Sequence, residues 1–193
     1  MELPFAGSAF VLTLSPRKAR TLEIALSSDA PWPGQGPGYD WEALALRAAT
    51  AAIEWTPHGE LLTSAATVEI SIRLASDDEV HTLNKQYRQK DKPTNVLSFP
   101  MVQPDLLATV SQNSDDGEVL LGDIILAHGV CVAEAAERGI SVEDHAMHLM
   151  VHGTLHLLGY DHIDDDEAEG MEQIERDALA ALGLHDPYLI TED

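Results

Sequence analysis

Cysteine is almost missing from this sequence: Cys131 is the only one in 193 residues. No disulfide can close within the chain, and no cysteine-rich zinc site can be assembled. That usage fits a reducing cytoplasm. Long apolar runs are missing as well, so nothing reads as a membrane span. The short apolar patch Phe10-Val11-Leu12 has no basic residue before it and makes a poor signal peptide. A cytoplasmic location is the expectation.

Positive charge is scarce. Eleven lysines and arginines stand against 33 acids, for a net charge of −22. Such a surface repels nucleic acid in general, and DNA is not expected as a partner. The bases that remain are unevenly placed. Lys85, Arg88, Lys90 and Lys92 fall within eight residues, and from residue 93 onward only Arg138 and Arg176 occur. The chain therefore has one candidate anion site. Charge alone also suits a blander reading, a helix end whose basic residues complement the dipole.

With 45% apolar residues, the chain can bury a substantial core. Residues 1–20 show no clear period and read as an N-terminal extension, leaving 21–193 as a single domain. TLEIALS (21–27) reads as a strand, and the Pro- and Gly-rich stretch 28–39 as a loop. Asp40 can cap a helix to about Trp55. Val68, Ile70, Ile72 and Leu74 alternate with other residues, as in a strand with one buried face. Ser76 and Glu79 have capping-box spacing and start a helix to about Arg88.

Residues 95–101 read as a third strand, and 103–118 as a polar, mobile loop. The near-continuous apolar run 119–127 suits a central strand. A helix over 130–138 should close at Gly139, and another should run from Ser141 to Leu158, before Gly159. The last should start at Asp164 and end near Gly183. The expected fold is α+β: a single domain with a mixed four-stranded sheet packed with helices.

The chemistry concentrates in VHGTLHLLGYDH (151–162), which contains H-x-x-x-H-x-x-G-x-x-H. His152 and His156 are four apart and share one helix face, a turn apart. Gly159 can turn the chain back and deliver His162 as a third nitrogen. Three protein ligands plus a water is the usual arrangement of catalytic zinc. On the same stripe lie His145 and His148, so His148, His152 and His156 form a rival trio. Residues eight apart lie about 12 Å apart along the axis, too far for easy convergence on one ion. His152, His156 and His162 are therefore preferred. His145 and His148 then line the cleft, support the ligands or simply pack.

Gly153 follows the first ligand, where zinc peptidases of the H-E-x-x-H type carry their glutamate base. An aspartate near the third ligand can orient an imidazole, a role left open for Asp161, whereas Asp164 to Glu167 suit the acidic start of a helix.

Two long segments, HGTLHLLGYDH (152–162) and YRQKDKPTNVLSFP (87–100), together resemble the YbeY family of bacterial rRNA-maturation endoribonucleases. LGDI (121–124) resembles a third block of that family, and the likeness covers roughly residues 60–183. The resemblance implies a zincin-like metal helix with one zinc ion on His152, His156 and His162, and a functional arginine at Arg88. It implies cleavage of single-stranded RNA, maturation of the small-subunit rRNA 3′ end, and ribosome quality control. The implied partners are rRNA and the small ribosomal subunit, with recruitment by ribosomal proteins or assembly factors.

A guanidinium fork at Arg88 suits a phosphodiester. Lys90, Lys92, Asn95, Ser98 and His148 are candidate substrate-binding residues, with Thr94 beside them. Two rivals remain: a metallopeptidase, and a non-catalytic ribosome-assembly factor with a structural metal.

Overall fold

The computed structural model describes residues 21–29, 32, 40–112, 117–162 and 164–189. The expected extension at 1–20 lies outside the described residues. In chain order the elements are β1 (Leu22–Ser28), α1 (Trp41–Glu54), β2 (Thr67–Ala75), α2 (Asp77–Arg88), β3 (Val96–Pro100), α3 (Leu107–Gln112), β4 (Glu118–Ala127), α4 (His128–Arg138), α5 (Val142–Leu157) and α6 (Asp165–Ala181). Short 3-10 turns occupy Gly59–Thr63 and Pro104–Leu106.

The strands form one mixed four-stranded sheet, as expected, and the structure sets their order as β1-β2-β4-β3. β1, β2 and β4 are parallel, and β3 runs antiparallel on the edge. Val68, Ile70, Ile72 and Leu74 are fully buried, and α1 and α5 pack on that core with α6 against both helices. On the opposite face Val80 of α2 joins Leu97, Ala75 and Ala127 in a second, smaller cluster. Among the described residues no helix is long and apolar enough to cross a membrane.

The caps read from sequence form as hydrogen bonds. Asp40, Ser141 and Asp164 accept from the backbone N–H groups of Ala43, Asp144 and Glu167 at 2.9, 3.0 and 2.9 Å. Ser76 accepts from Glu79 N–H at 3.3 Å, but the reciprocal half of the capping box is absent. The Glu79 carboxylate instead binds Arg73, whose Nε donates at 2.6 Å. A neighbouring strand offers a guanidinium, and a charge-assisted bond outcompetes a neutral amide.

Two further expectations are corrected. The segment 103–118 is not a loop throughout: it contains α3, and Leu107 is wholly buried. One inserted leucine is too little for a periodic signal, yet it anchors the segment in the core. Helix α4 begins at His128 rather than Val130 because Asp77, from α2, accepts from the N–H groups of Gly129 and Val130 at 2.7 and 3.3 Å. That cap comes from 52 residues away in sequence.

Cys131 is buried in α4, and burial, followed by the charges of Glu134 and Asp77, pushes its thiol up to about 12. The native protein should therefore react negligibly with a thiol reagent at pH 8 and react with one equivalent after denaturation. Rapid native labelling would contradict this burial.

Candidate metal centre and its cleft

Helix α5 carries His152 and His156 on one face, and their Nε2 atoms lie 3.1 Å apart. Two nitrogens bound tetrahedrally at about 2.0–2.1 Å from zinc would sit roughly 3.3 Å apart. After α5 the chain turns at Gly159, with φ +90°, and returns His162 to the same point. The turn is held from outside. A Cβ on Gly159 would lie 2.5 Å from Pro104 Cγ, so the 3-10 turn before α3 packs directly on it. One nitrogen from each of the three histidines falls within 4.8 Å of the others.

The donors are chemically suited to a cation. His156 Nδ1–H donates to the Tyr160 carbonyl at 2.8 Å, and a carbonyl only accepts. Its Nε2 is left with a lone pair. Burial, then the nearby His152, pushes the His156 imidazolium down to about 4, so the ring is neutral at pH 7. Three converging nitrogens with a fourth side open to a cleft fit catalytic zinc rather than a closed structural site.

That cleft is a cavity of about 410 Å³. One wall is the three histidines, and the other is Arg88, Thr94, Asn95 and Ser98. Arg88, at the end of α2, donates from Nη2 to the Ser98 carbonyl at 3.1 Å. Asn95 and Met101 exchange ladder bonds with β4, through Ala127 N–H and Leu121 O. In an antiparallel ladder the alternate residues face away, so Ser98 turns its N–H and C=O to the edge of β3 that no described strand pairs with. The arginine thus wraps an edge strand and reaches the histidines' cavity.

Over residues 43–183 the sequence matches the family model described as Endoribonuclease YbeY. This chain belongs to the YbeY family. A Rhizorhabdus wittichii protein called endoribonuclease YbeY is 65% identical over 172 residues, covering 89% of this chain and 99% of that relative. A Sphingopyxis alaskensis protein of the same name is 53% identical over 167 residues, covering 86% and 97%.

Within this YbeY-family fold the remaining candidates separate. Lys90 and Lys92 are exposed beside the cavity but do not line it. Lys85 is bound to Asp91 at 2.8 Å, which also takes His81 at 2.7 Å. Asn95 lines the cavity, but its amide donates to Glu134 at 3.0 Å and its Oδ1 accepts from Val96 N–H at 2.7 Å. Asp161 accepts from the His162 backbone N–H at 2.8 Å, which shapes the loop rather than an imidazole.

The rival trio does not assemble. His148 Nε2 lies 2.7 Å from Glu175 and borders a different cavity, shared with Arg138 and His185. His145 is buried against Glu134 at 2.7 Å.

Gly153 faces the sheet. A Cβ there would lie 2.9 Å from Ile124 Cγ2 and 3.1 Å from Ser98 Oγ. The position where a peptidase would carry its base is therefore a packing contact.

Sequence reasoning missed Glu175. It is fully buried on α6, with Oε1 also 3.3 Å from His152 Nδ1. Burial alone would raise its carboxyl. The imidazoles of His148 and His152 outweigh that and hold it well below the usual carboxylate range. A signal was present: Glu175 shares the α6 stripe of Met171 and Ala178, a core position where an acid is out of place.

Proposed function

We propose that residues 21–193 form one metal-dependent endoribonuclease domain that cuts single-stranded RNA with one zinc ion. Its work is maturation of the small-subunit rRNA 3′ end and ribosome quality control, in the cytoplasm. The observation that carries this reading is Arg88 and three convergent histidines sharing one cavity. A metal centre alone would serve many hydrolases. A guanidinium in the same cavity supplies what a phosphodiester needs, neutralisation of the non-bridging oxygens as negative charge grows.

His152, His156 and His162 would hold the zinc, which supplies Lewis acidity towards phosphate oxygen or water. The other steps belong to the chain. Arg88 uses one donor on Ser98 O and keeps the rest of its fork for the scissile phosphate. Ser98 N–H, on the outer edge of β3, donates to a second phosphate oxygen. Lys90 and Lys92 draw the RNA backbone towards the cavity mouth. Asn95, bound to Glu134 and to its own strand, orders the cleft wall.

The decisive assay offers a small-subunit rRNA precursor to the zinc-loaded wild type and to Arg88→Ala. Arg88→Ala should lose about 10²–10³ in kcat, the range for removing one preorganised donor to transition-state charge. Metal content should stay unchanged. Wild-type rates in Arg88→Ala would sink the assignment. Product ends assign the nucleophile: a 2′,3′-cyclic phosphate reports attack by the RNA's own 2′-hydroxyl.

The net charge of −22 shapes the encounter with RNA. Lys85 is neutralised by Asp91, leaving Arg88, Lys90 and Lys92 for phosphates. Each phosphate contact contributes about −0.7 to the slope of log K against log salt for single strands, so about −2 is expected. Binding of bare RNA should be weak, and recruitment by basic ribosomal proteins or assembly factors compensates. A filter-binding series over salt tests this; tight, salt-insensitive binding would overturn it.

A further inference from the structure

The Glu175 carboxylate is fully buried, and its contacts are specific. Oε1 faces His148 Nε2 at 2.7 Å and His152 Nδ1 at 3.3 Å, while Oε2 accepts from the Tyr188 hydroxyl. No lysine or arginine is among these partners. A buried carboxylate held only by imidazoles and a phenol is a costly feature for stability alone.

Its geometry suggests another use. Among the described residues Oε1 has no aligned hydrogen bond and, as a carboxylate oxygen, can only accept, so it favours the His152 tautomer with the proton on Nδ1. The His152 Nε2 lone pair then points to the place where Nε2 of His156 also converges, 3.1 Å away. For His156 the Tyr160 carbonyl performs the same service. Which imidazole nitrogen is free for a metal is set by the hydrogen bond at the other.

The carboxylate is itself held from the far end of the chain. Tyr188 follows α6, and its ring lies 4.9 Å from the Arg176 guanidinium carbon. Its N–H donates to Asp186 at 2.8 Å, and Asp186 also lies 3.5 Å from Arg176.

We propose that Glu175 is a positioning residue for a zinc-type cation. It fixes His152 in the Nδ1–H tautomer with Nε2 free, and Tyr188 holds the carboxylate in place. The segment after α6 is thus part of the metal centre, though it supplies no ligand. The proposal rests on the reading of His152, His156 and His162 as ligands.

Two measurements test it. The first is ¹⁵N-histidine NMR of the metal-free wild type at pH 8. His152 should show a protonated Nδ1 and an unprotonated Nε2; a protonated Nε2 overturns the proposal without any variant.

The second is zinc affinity, by competition with a chromogenic chelator, with thermal unfolding of the metal-free proteins alongside. Glu175→Gln should weaken zinc binding 10–100-fold, the range for losing such a supporting group. Tyr188→Phe should weaken it less but in the same direction, and it covers the case in which Glu175→Gln does not fold. A melting temperature that moves while zinc affinity stays at the wild-type value overturns the proposal, because Glu175 would then be structural only. A wild type that binds no zinc overturns the ligand assignment, and this proposal with it. Wild-type zinc binding with unaltered affinity in both variants overturns the positioning role alone.

Discussion

His156→Ala is expected to lose zinc and to reduce RNA cleavage to background while remaining folded. His156 is the middle one of the three proposed ligands, with Nε2 3.1 Å from Nε2 of His152 and its ring 5.2 Å from that of His162. Without it, two imidazoles remain from separate segments, too few for the three-ligand catalytic arrangement. The effect should exceed the ten- to hundredfold range typical of lost supporting groups, roughly a hundredfold or more in affinity.

The fold should survive. Alanine is the best helix former, and α5 is anchored by Met150, Val151, Leu155 and Leu157, all fully buried. The loss is the donor to Tyr160 O, about 1–3 kcal/mol if that carbonyl stays dry. Metal analysis, circular dichroism and cleavage of single-stranded RNA measure all three parts. Full cleavage by zinc-free His156→Ala would refute a metal-dependent mechanism.

Gly153→Glu is the second large effect, and it separates this site from a peptidase. The substitution restores the H-E-x-x-H spacing, so on sequence grounds it should create a base. The structure predicts disruption instead. Its Cβ would press on Ile124 Cγ2 at 2.9 Å and on Ser98 Oγ at 3.1 Å, and its carboxylate would enter a packed helix–sheet contact.

Overpacking costs about 1–3 kcal/mol, and an unpaired buried charge adds to it, for a loss of roughly 3 kcal/mol or more. For a domain of this size that is a fall of roughly 6–12 °C in Tm. Peptide hydrolysis should not appear. A stable Gly153→Glu protein that cleaves a peptide library would restore the peptidase reading.

The difference between legible and hidden parts is physical. Alternation at Val68, Ile70, Ile72 and Leu74, and side-chain caps at Asp40, Ser141 and Asp164, act within a few residues. A strand face or a helix start was therefore readable from the sequence. The cap on α4 was not, because its acceptor, Asp77, belongs to another helix. Glu79 had the right spacing for a capping box and was drawn off by Arg73, a partner on β2. Leu107 carries too short a pattern to announce a core residue.

The site divides in the same way. The four-residue spacing of His152 and His156 and the glycine turn before His162 are local geometry, fixed by helix pitch and backbone freedom. The sequence by itself therefore determined the histidine constellation, the sheet strands and the family. Only the tertiary structure decided what faces that constellation. It brought Arg88 around the outer edge of β3, withdrew His148 to Glu175, and committed the Asn95 amide to Glu134. It also turned Gly153 into the sheet. Side-chain partners across elements depend on packing that no sequence window contains.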